Sequence, residues 1–474
     1  VDSKAAAGGR SPYRGAAMQE NPSTKPTPES SQNTPNEASR QSLLFSGLSI
    51  FFGTLMLFLF VADRHFGLSS PPENGGDSDS YERLGYNLAA GLGFGFCPSD
   101  QSILEGKAEP TTVERCEAGC DAGEFQLTAY RPPGFPFVIA AIYRLSPLNY
   151  FAVRVLNCVA CAVAVTLASL WLARRYSLTA AALASVTCCV DPRFREFAGS
   201  FLTENLATLG LCCFALTFAR FVEQKTVRNA AMCGLALSAL VFVRSFYVAW
   251  YPLIWIIVAW MLFRSVRSGF QTTSKASCVA ITFGLCSLLL TGPWWVRNCL
   301  VLDAIMPTGT QGGIGIADGF SDSAMENFGS WTPKTADRII TELRADPNFA
   351  GRSEIEIEKE HCRRGAAKAS EWIKTHPELL LQLTWWKLSR LWEFGSVQHT
   401  ALFGLCALGM WFSRATPLCR ILLLLFVLNS LTVMATYHTY ERFLTPFRPL
   451  IHVMCAWGFC QLVQTLRLRR FHSV

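Results

Sequence analysis

Three carboxylates and four arginines are the residues of this sequence best placed to do chemistry: Asp77, Asp79 and Glu204, with Arg131, Arg244, Arg297 and Arg442. The arginines and Glu204 fall at or near the ends of apolar segments, and the two aspartates lie in the polar stretch after the first one. A charge costs less there than at the centre of a bilayer, where insertion of Asp, Lys or Arg costs about 2.5–3.5 kcal/mol. A carboxylate can take a proton from an attacking hydroxyl. Guanidinium forks bind oxyanions such as phosphate, and do so best where water is scarce. Asp77 and Asp79 open the run Asp77-Ser78-Asp79-Ser80-Tyr81. Tyr81, Leu84 and Leu88 share one helical face, which predicts a short amphipathic helix lying on the membrane surface, with Asp77 at or just before its N-terminus. Alone, such an aspartate reads as a helix cap, and Glu204 reads as a polar residue near a helix end.

The elements that must position these groups are apolar helices. Half of the 474 residues are hydrophobic and only 16% are charged, against about a quarter in soluble proteins. Segments such as Leu43–Ala62, Ala152–Ala173 and Val279–Val296 approach the roughly 20 residues a helix needs to cross about 30 Å of hydrocarbon. Further segments run over Ser177–Val190, Ser200–Phe221, Ala230–Val243, Tyr247–Phe263, Ala401–Phe412, Leu418–Ala435 and Leu450–Val463. With Ala276–Val296 as the full seventh span, the expectation is an all-α polytopic membrane protein of about ten transmembrane helices.

A cytoplasmic N-terminus makes every inner turn basic: Arg174 and Arg175; Arg220, Lys225 and Arg228; Arg264, Arg267 and Lys275; Arg414 and Arg420; Arg467, Arg469 and Arg470. That is the bias expected of cytoplasmic turns. Both termini are then cytoplasmic, and two large loops, 63–150 and 298–400, face outwards. The outer face also receives Asp77, Asp79, Arg131, Asp191, Arg193, Glu204, Arg244, Arg297 and Arg442. Such a collection runs against the simple charge bias and needs another cause. The +7 net charge is spread over turns and forms no basic stripe interleaved with aromatics, which argues against nucleic acid.

Residues 1–40, rich in Ser, Pro, Asn, Thr and Ala, are expected to be a disordered cytoplasmic tail; 41–465 is the transmembrane domain and 466–474 a basic tail. Leu43–Ala62 is too long for a cleaved signal core and is expected to remain as an anchor. Most of the 18 cysteines lie in apolar segments, where they act as small hydrophobes. Cys97, Cys116 and Cys120 share the first outer loop, where one disulfide and one remaining thiol are expected. The histidines are dispersed and suggest no metal site. In the second loop the glycine-rich stretch from Met306 is expected to be flexible. Ser353–His376 reads as a soluble amphipathic helix, and Leu379–Trp392, with Trp385, Trp386, Lys387 and Arg390, as an interfacial helix that either anchors the chain or guides a lipid tail.

Further motifs lie in order along the outer face: Arg131-Pro132, Leu202-Thr203-Glu204, Val243-Arg244, Pro293-Trp294-Trp295-Val296-Arg297-Asn298, and Arg442-Phe443-Leu444-Thr445-Pro446. With Asp77 four residues before Tyr81, this series resembles the polyprenyl-phosphate-dependent glycosyltransferases of the GT-C fold, near the protein O-mannosyltransferases and lipid A aminoarabinose transferases. The resemblance extends from Leu43 to Val463. Many relatives carry Glu directly after the loop Asp, whereas Ser78 stands here, and Asp79 offers a second carboxylate. The choice between Asp77 and Asp79 stays open, with the spacing to Tyr81 favouring Asp77.

The resemblance implies a sugar transferred from a polyprenyl-phosphate donor to a protein, lipid or polysaccharide acceptor, with inversion, no metal, and Asp77 as general base. Asp79, Tyr81, Arg131, Glu204, Arg244, Arg297 and Arg442 would bind substrate, Arg131 foremost on the phosphate. It also implies a bacterial inner membrane with undecaprenyl phosphate as carrier. The alternative is a transporter or flippase of a lipid-linked or anionic substrate. That reading predicts internal repeats and polar groups near mid-membrane, and the sequence displays neither.

Overall fold

In the computed structural model, which describes residues 37–72, 76–97, 125–438 and 440–472, the long apolar runs fold as helices with their own start signals. Asn149 caps the helix that follows it by accepting the Ala152 N–H at 2.8 Å, and Ser177, Thr226, Thr272 and Thr416 cap four others in the same way. Side-chain caps satisfy N–H groups that the first turn leaves unpaired.

The principal elements, in chain order, are α1 (Glu37–Phe66), α2 (Gly76–Ala89), β1 (Gly95–Phe96), β2 (Gln126–Leu127), α3 (Gly134–Leu145), α4 (Tyr150–Arg175), α5 (Leu178–Val190), α6 (Glu204–Glu223) and α7 (Val227–Val243). They continue with α8 (Tyr251–Arg267), α9 (Thr273–Leu288), α10 (Thr291–Leu302), α11 (Gln311–Gly319), α12 (Lys334–Ala345), α13 (Glu354–Thr375), α14 (Leu380–Leu391), α15 (Val397–Phe412), α16 (Pro417–Ala435) and α17 (Arg448–His472). The chain divides at Ser42 into two units; Glu37–Ser42, within α1, are the described residues of the first, and the second is Leu43–Val474.

Among the described residues, six helical segments are long and apolar enough to cross a bilayer: Gln41–Phe66, Tyr150–Arg175, Glu204–Glu223, Ser245–Arg267, Pro417–Ala435 and Thr445–Arg467. α9 and α10, bent by 51° at their junction, make a seventh if taken as one broken span. This is a multi-pass membrane protein. The expected ten spans also included α5, α7 and α15, and these apolar helices have 13, 17 and 16 residues, short of the roughly 20 that a perpendicular crossing requires. Length and composition therefore support six or seven spans.

α6 lies within the bundle, packed against α4, α7 and α16, while α17 packs on α15, α5 and α4. Small residues set the closest approaches, as is usual between helices in lipid. A Cβ on Gly409 of α15 would meet the Met454 carbonyl of α17 at 1.8 Å, and one on Gly134 would meet Phe242 O and Val243 Cα of α7 at 2.8 Å. The latter contact holds the start of α3 against the end of α7.

α2 departs from the surface helix that its periodicity predicts. Tyr81, Glu82, Arg83, Leu84 and Asn87 are all buried, and the helix packs on α3. Its polar residues are buried because they find partners within the fold. Arg83 Nε donates to both oxygens of Asp79 at 3.0 Å, Tyr143 donates to Glu82 at 3.3 Å, and Asn87 donates to Gly95 O at 2.8 Å. Beyond it, β1 and β2 form a two-residue antiparallel ladder. Cys97 is disulfide-bonded, whereas the other described cysteines are free; Cys116 and Cys120 lie outside the described residues, as does nearly all of the expected disordered tail.

In the second loop the glycine-rich stretch folds as α11 and is covered by α13, the expected amphipathic helix, with Ser353 and Glu356 forming a capping box. α14 exposes Leu381 and Trp385, as an interfacial helix would. Lys387, expected at headgroup level, instead turns inward. It is fully buried, donates to Thr436 O at 2.8 Å and sits 3.6 Å from the centre of the Phe320 ring.

The α15–α17 crossing offers a direct test of close packing. Gly409→Ala should push the two helices apart and destabilise the protein by about 1–3 kcal/mol, read as a lowered melting temperature in detergent. Gly404→Ala on the same helix, where a Cβ meets nothing within 4 Å, should leave it unchanged.

Candidate active site

Five charged residues from distant parts of the chain meet as one alternating series. Arg131 Nη2 lies 2.7 Å from Asp77 Oδ1, and Arg442 Nη1 lies 2.6 Å from Asp77 Oδ2. Arg442 Nε then donates to Glu204 Oε1, which also pairs with Arg244 Nη1 at 2.8 Å. The order is Arg131–Asp77–Arg442–Glu204–Arg244, with one net positive charge.

Local structure places each member. Asp77 is in the first turn of α2, and Glu204 is the first residue of α6. Both are helix N-termini, where the helix dipole favours a carboxylate. Arg244 is the C-cap of α7, and Arg442 stands on the 3-10 turn Tyr440–Phe443 between α16 and α17. Arg131 precedes Pro132, and the tight contact of Gly134 with the end of α7 brings it towards Arg244.

Asp77, Arg131, Arg244 and Arg442 line a cavity of about 380 Å³ together with Tyr81, Tyr130, Trp331, Tyr437 and Phe443. Aromatic faces hold the cations in place: the Arg131 guanidinium lies 5.3 Å from the Tyr81 ring centre and 4.6 Å from that of Tyr130, and Arg244 lies 5.3 Å from Phe443. Ser80 accepts from Arg131 Nε at 3.1 Å.

The carboxylates differ in access. The Asp77 side chain is 28% exposed, whereas those of Glu204 and Asp79 are 0% and 1% exposed. Asp77 alone among the three can meet a substrate in this arrangement. Burial pushes its carboxyl up, but Arg131 and Arg442 outweigh burial and hold it below the ordinary carboxylate range. Burial pushes the Tyr81 phenol up to about 12, so it stays a neutral hydrogen-bond donor.

Of the residues singled out by sequence, Asp77, Tyr81, Arg131, Glu204, Arg244 and Arg442 are brought together. Asp79 is not; it faces Arg83 away from the cavity. Arg297 also stands apart. It donates to Thr128 O at 2.6 Å and Phe94 O at 3.2 Å, with Trp294 beneath its plane at 4.8 Å. It ties the segment before Arg131 to α10. Tyr130, Trp331 and Tyr437 were not anticipated. Tyr130 adjoins Arg131 in sequence, which is a usable signal, but Trp331 and Tyr437 sit in loops with no motif of their own.

The chain matches no protein-family model and no curated protein sequence. Among solved structures it is similar to ArnT from Cupriavidus metallidurans bound to undecaprenyl phosphate, with TM-score 0.37, 13% identity, and coverage of 90% of this chain and 77% of that one. The apo state of the same protein gives TM-score 0.32, 12% identity, and coverage of 89% and 78%. Similarity this low in score and identity assigns neither family nor function to the chain.

Glu204 is the keystone of the series, since it is fully buried and faces two arginines. Glu204→Gln leaves both cations short of a counter-charge, so it should cost about 3–5 kcal/mol, measured as lost thermal stability in detergent. Glu223→Gln, which breaks a partly exposed pair with Arg175, should cost about 0–1 kcal/mol.

Proposed function

We propose that this protein transfers a sugar from a polyprenyl-phosphate donor to a hydroxyl acceptor at the membrane surface. The observation that carries the proposal is the alternating series, which puts three guanidinium groups and one accessible carboxylate on the wall of a single cavity. Arg131, Arg442 and Arg244 bind the donor phosphate. Asp77 takes the acceptor proton as the acceptor oxygen attacks the anomeric carbon. The bond from that carbon to the phosphate oxygen breaks, and its electron pair stays on the phosphate, where the arginines stabilise it. Direct displacement inverts the anomeric centre. A phosphate is a stable leaving group, so the scheme needs neither a strong acid nor a metal.

A narrow crevice shares Arg131, Pro132 and Ser245 with the cavity, and its other walls include Val241, Phe242, Val248, Trp294 and Trp295. The crevice holds only about 20 Å³, so its apolar walls next to the arginines would have to part to admit a lipid tail joined to a phosphate. We place the cavity on the extracytoplasmic side and both termini in the cytoplasm, as the basic turns favour, and take a bacterial inner membrane as its setting, with undecaprenyl phosphate as carrier. The ends of the helices support one shared side for the site. Tyr150, at the start of α4, shares an apolar cluster with Tyr81 of the site, and Arg175, at its end, meets Glu223 at the far end of α6.

The decisive experiment is mass spectrometry of lipids retained by wild type and Asp77→Asn purified in mild detergent. The variant should hold a glycosylated polyprenyl phosphate while its transfer rate falls by at least about 10²-fold. Absence of polyprenyl lipid from both samples, even after incubation with donors, would sink the proposal, and undiminished transfer by the variant would remove Asp77 from its role.

The pH profile follows from the ion pairs. A carboxyl held below its ordinary value of 3.8 stays ionised as pH falls through that value. The stabilisation it receives is complete above about pH 4 and is lost only as pH falls through the folded value. The wild-type kcat/KM, which reports the free enzyme, should therefore show no acidic limb from Asp77 above pH 4. In Arg131→Gln, burial is opposed by one cation fewer, so the residual activity should acquire an acidic limb displaced to higher pH.

A further inference from the structure

A second and larger cavity, of about 830 Å³, adjoins the first, and Tyr130, Gly315 and Trp331 line both. β2, α11, α12 and α13 supply its walls. Among the described residues its charge is opposite in sign: Asp318, Asp337, Glu354 and Glu358 line it against a single arginine, Arg344, which pairs with Glu354 at 3.3 Å. Among the described residues, the other three carboxylates form no ion pair.

Two buried groups point to a ligand. Asp318 is fully buried, and its Oδ1 accepts from the N–H groups of Thr335 and Ala336 at 2.9 and 3.0 Å. Its Oδ2 has no hydrogen-bond partner of ordinary geometry, although the Trp331 indole is close enough to draw its pKa down. Burial dominates and pushes that carboxyl up to about 6. His361 is 9% exposed, and its Nε2 is likewise without a partner. Buried polar groups in folded proteins are normally satisfied, and one that is not calls for an explanation.

We infer that this cavity binds the acceptor, and that the acceptor is a peptide carrying a cationic side chain near the hydroxyl that attacks. The inference rests on the glycosyl-transfer reading above. The ammonium or guanidinium group sits between Asp318 and Asp337 against the Trp331 ring, a favourable face for a cation. The hydroxyl reaches past Tyr130 and Trp331 to Asp77. An extended peptide fits because strand β2 forms part of the wall, and strands are where extended chains align. An anionic acceptor would meet uncompensated carboxylates and be rejected. The two cavities thus sort the substrates by charge, with phosphate on the arginine side and cation on the acidic side.

The test uses the full chain in detergent. Fluorescent serine peptides flanked by Lys, Gln or Glu, and an oligomer of glucosamine, are titrated into wild type and Asp337→Lys, with undecaprenyl-phosphate binding measured in parallel. Asp337 is exposed on α12, and its replacement does not touch the arginine site. The Lys peptide should bind wild type about tenfold or more tighter than the Glu peptide. Asp337→Lys should erase that preference and leave lipid binding unchanged. Equal binding of the three peptides, binding of the glucosamine oligomer alone, or no binding of any probe while the lipid binds overturns the acceptor assignment and spares the donor reading. If wild type does not bind undecaprenyl phosphate, both fall.

Discussion

A charge removed from water must find an opposite charge, and the fold around the site is organised by that requirement. Each ion withdrawn into a protein interior costs several kcal/mol even after relaxation. Five such groups are held together here only because they alternate in sign: Arg131, Asp77, Arg442, Glu204 and Arg244. They come from α2, the segment before α3, the start of α6, the end of α7 and the turn before α17. The ion pairs therefore fix where five helix ends stand relative to one another. Arg442 is the joint, since it alone touches both carboxylates and links the last part of the chain to α2.

Around this series, other charged side chains act on the backbone. Arg297 donates to the carbonyls of Thr128 and Phe94, while Glu358 accepts from the Thr128 hydroxyl, the Ala129 N–H and the Thr310 hydroxyl. The stretch leading into Arg131 is thereby clamped from α10 on one side and α13 on the other. Lys387 holds the carbonyl of Thr436, six residues before Arg442. Ordering a loop costs conformational entropy, and charge-assisted hydrogen bonds to the backbone are strong enough to offset it. An arginine or glutamate near an active site need not meet the substrate; Arg297 and Glu358 shape the segment that does.

This division of labour explains what the sequence could and could not reveal. Residue type and position at segment ends brought out Arg131, Glu204, Arg244 and Arg442, because a charge beside an apolar run is visible without a structure, whereas Asp77 stood out by its spacing to Tyr81 and the family resemblance. The same reading brought out Arg297 and Asp79, whose partners are a pair of carbonyls and a neighbouring arginine. One-dimensional spacing cannot tell a guanidinium facing a cavity from one facing a backbone. Glu358 was hidden for the opposite reason: in the run Glu354-Ile-Glu-Ile-Glu358 every acid looks like part of a solvated face. Hydropathy located the membrane segments, α5, α7 and α15 among them, although these have the composition of a span and only 13, 17 and 16 residues. The placement of α2 was misjudged because its polar residues find partners in α3 and around β1, and a helix's own periodicity says nothing about its neighbours.

The pairing of Asp77 with two arginines bears on how a base can work in the proposed reaction. With Oδ1 on Arg131 and Oδ2 on Arg442, both carboxylate oxygens are engaged and the group is a poor proton acceptor. A donor phosphate competes for the same two guanidinium groups. As a phosphodiester it carries one charge, like the carboxylate, and gains more only as the sugar leaves; the series has one positive charge in excess to receive it. As the arginines turn towards phosphate, the attraction that holds the Asp77 pKa low weakens, while burial, which raises it, remains. The carboxylate becomes a stronger base at the moment the sugar arrives beside it. Basicity is then coupled to donor binding by the same ion pairs that hold the helix ends together, and no separate switching element is needed.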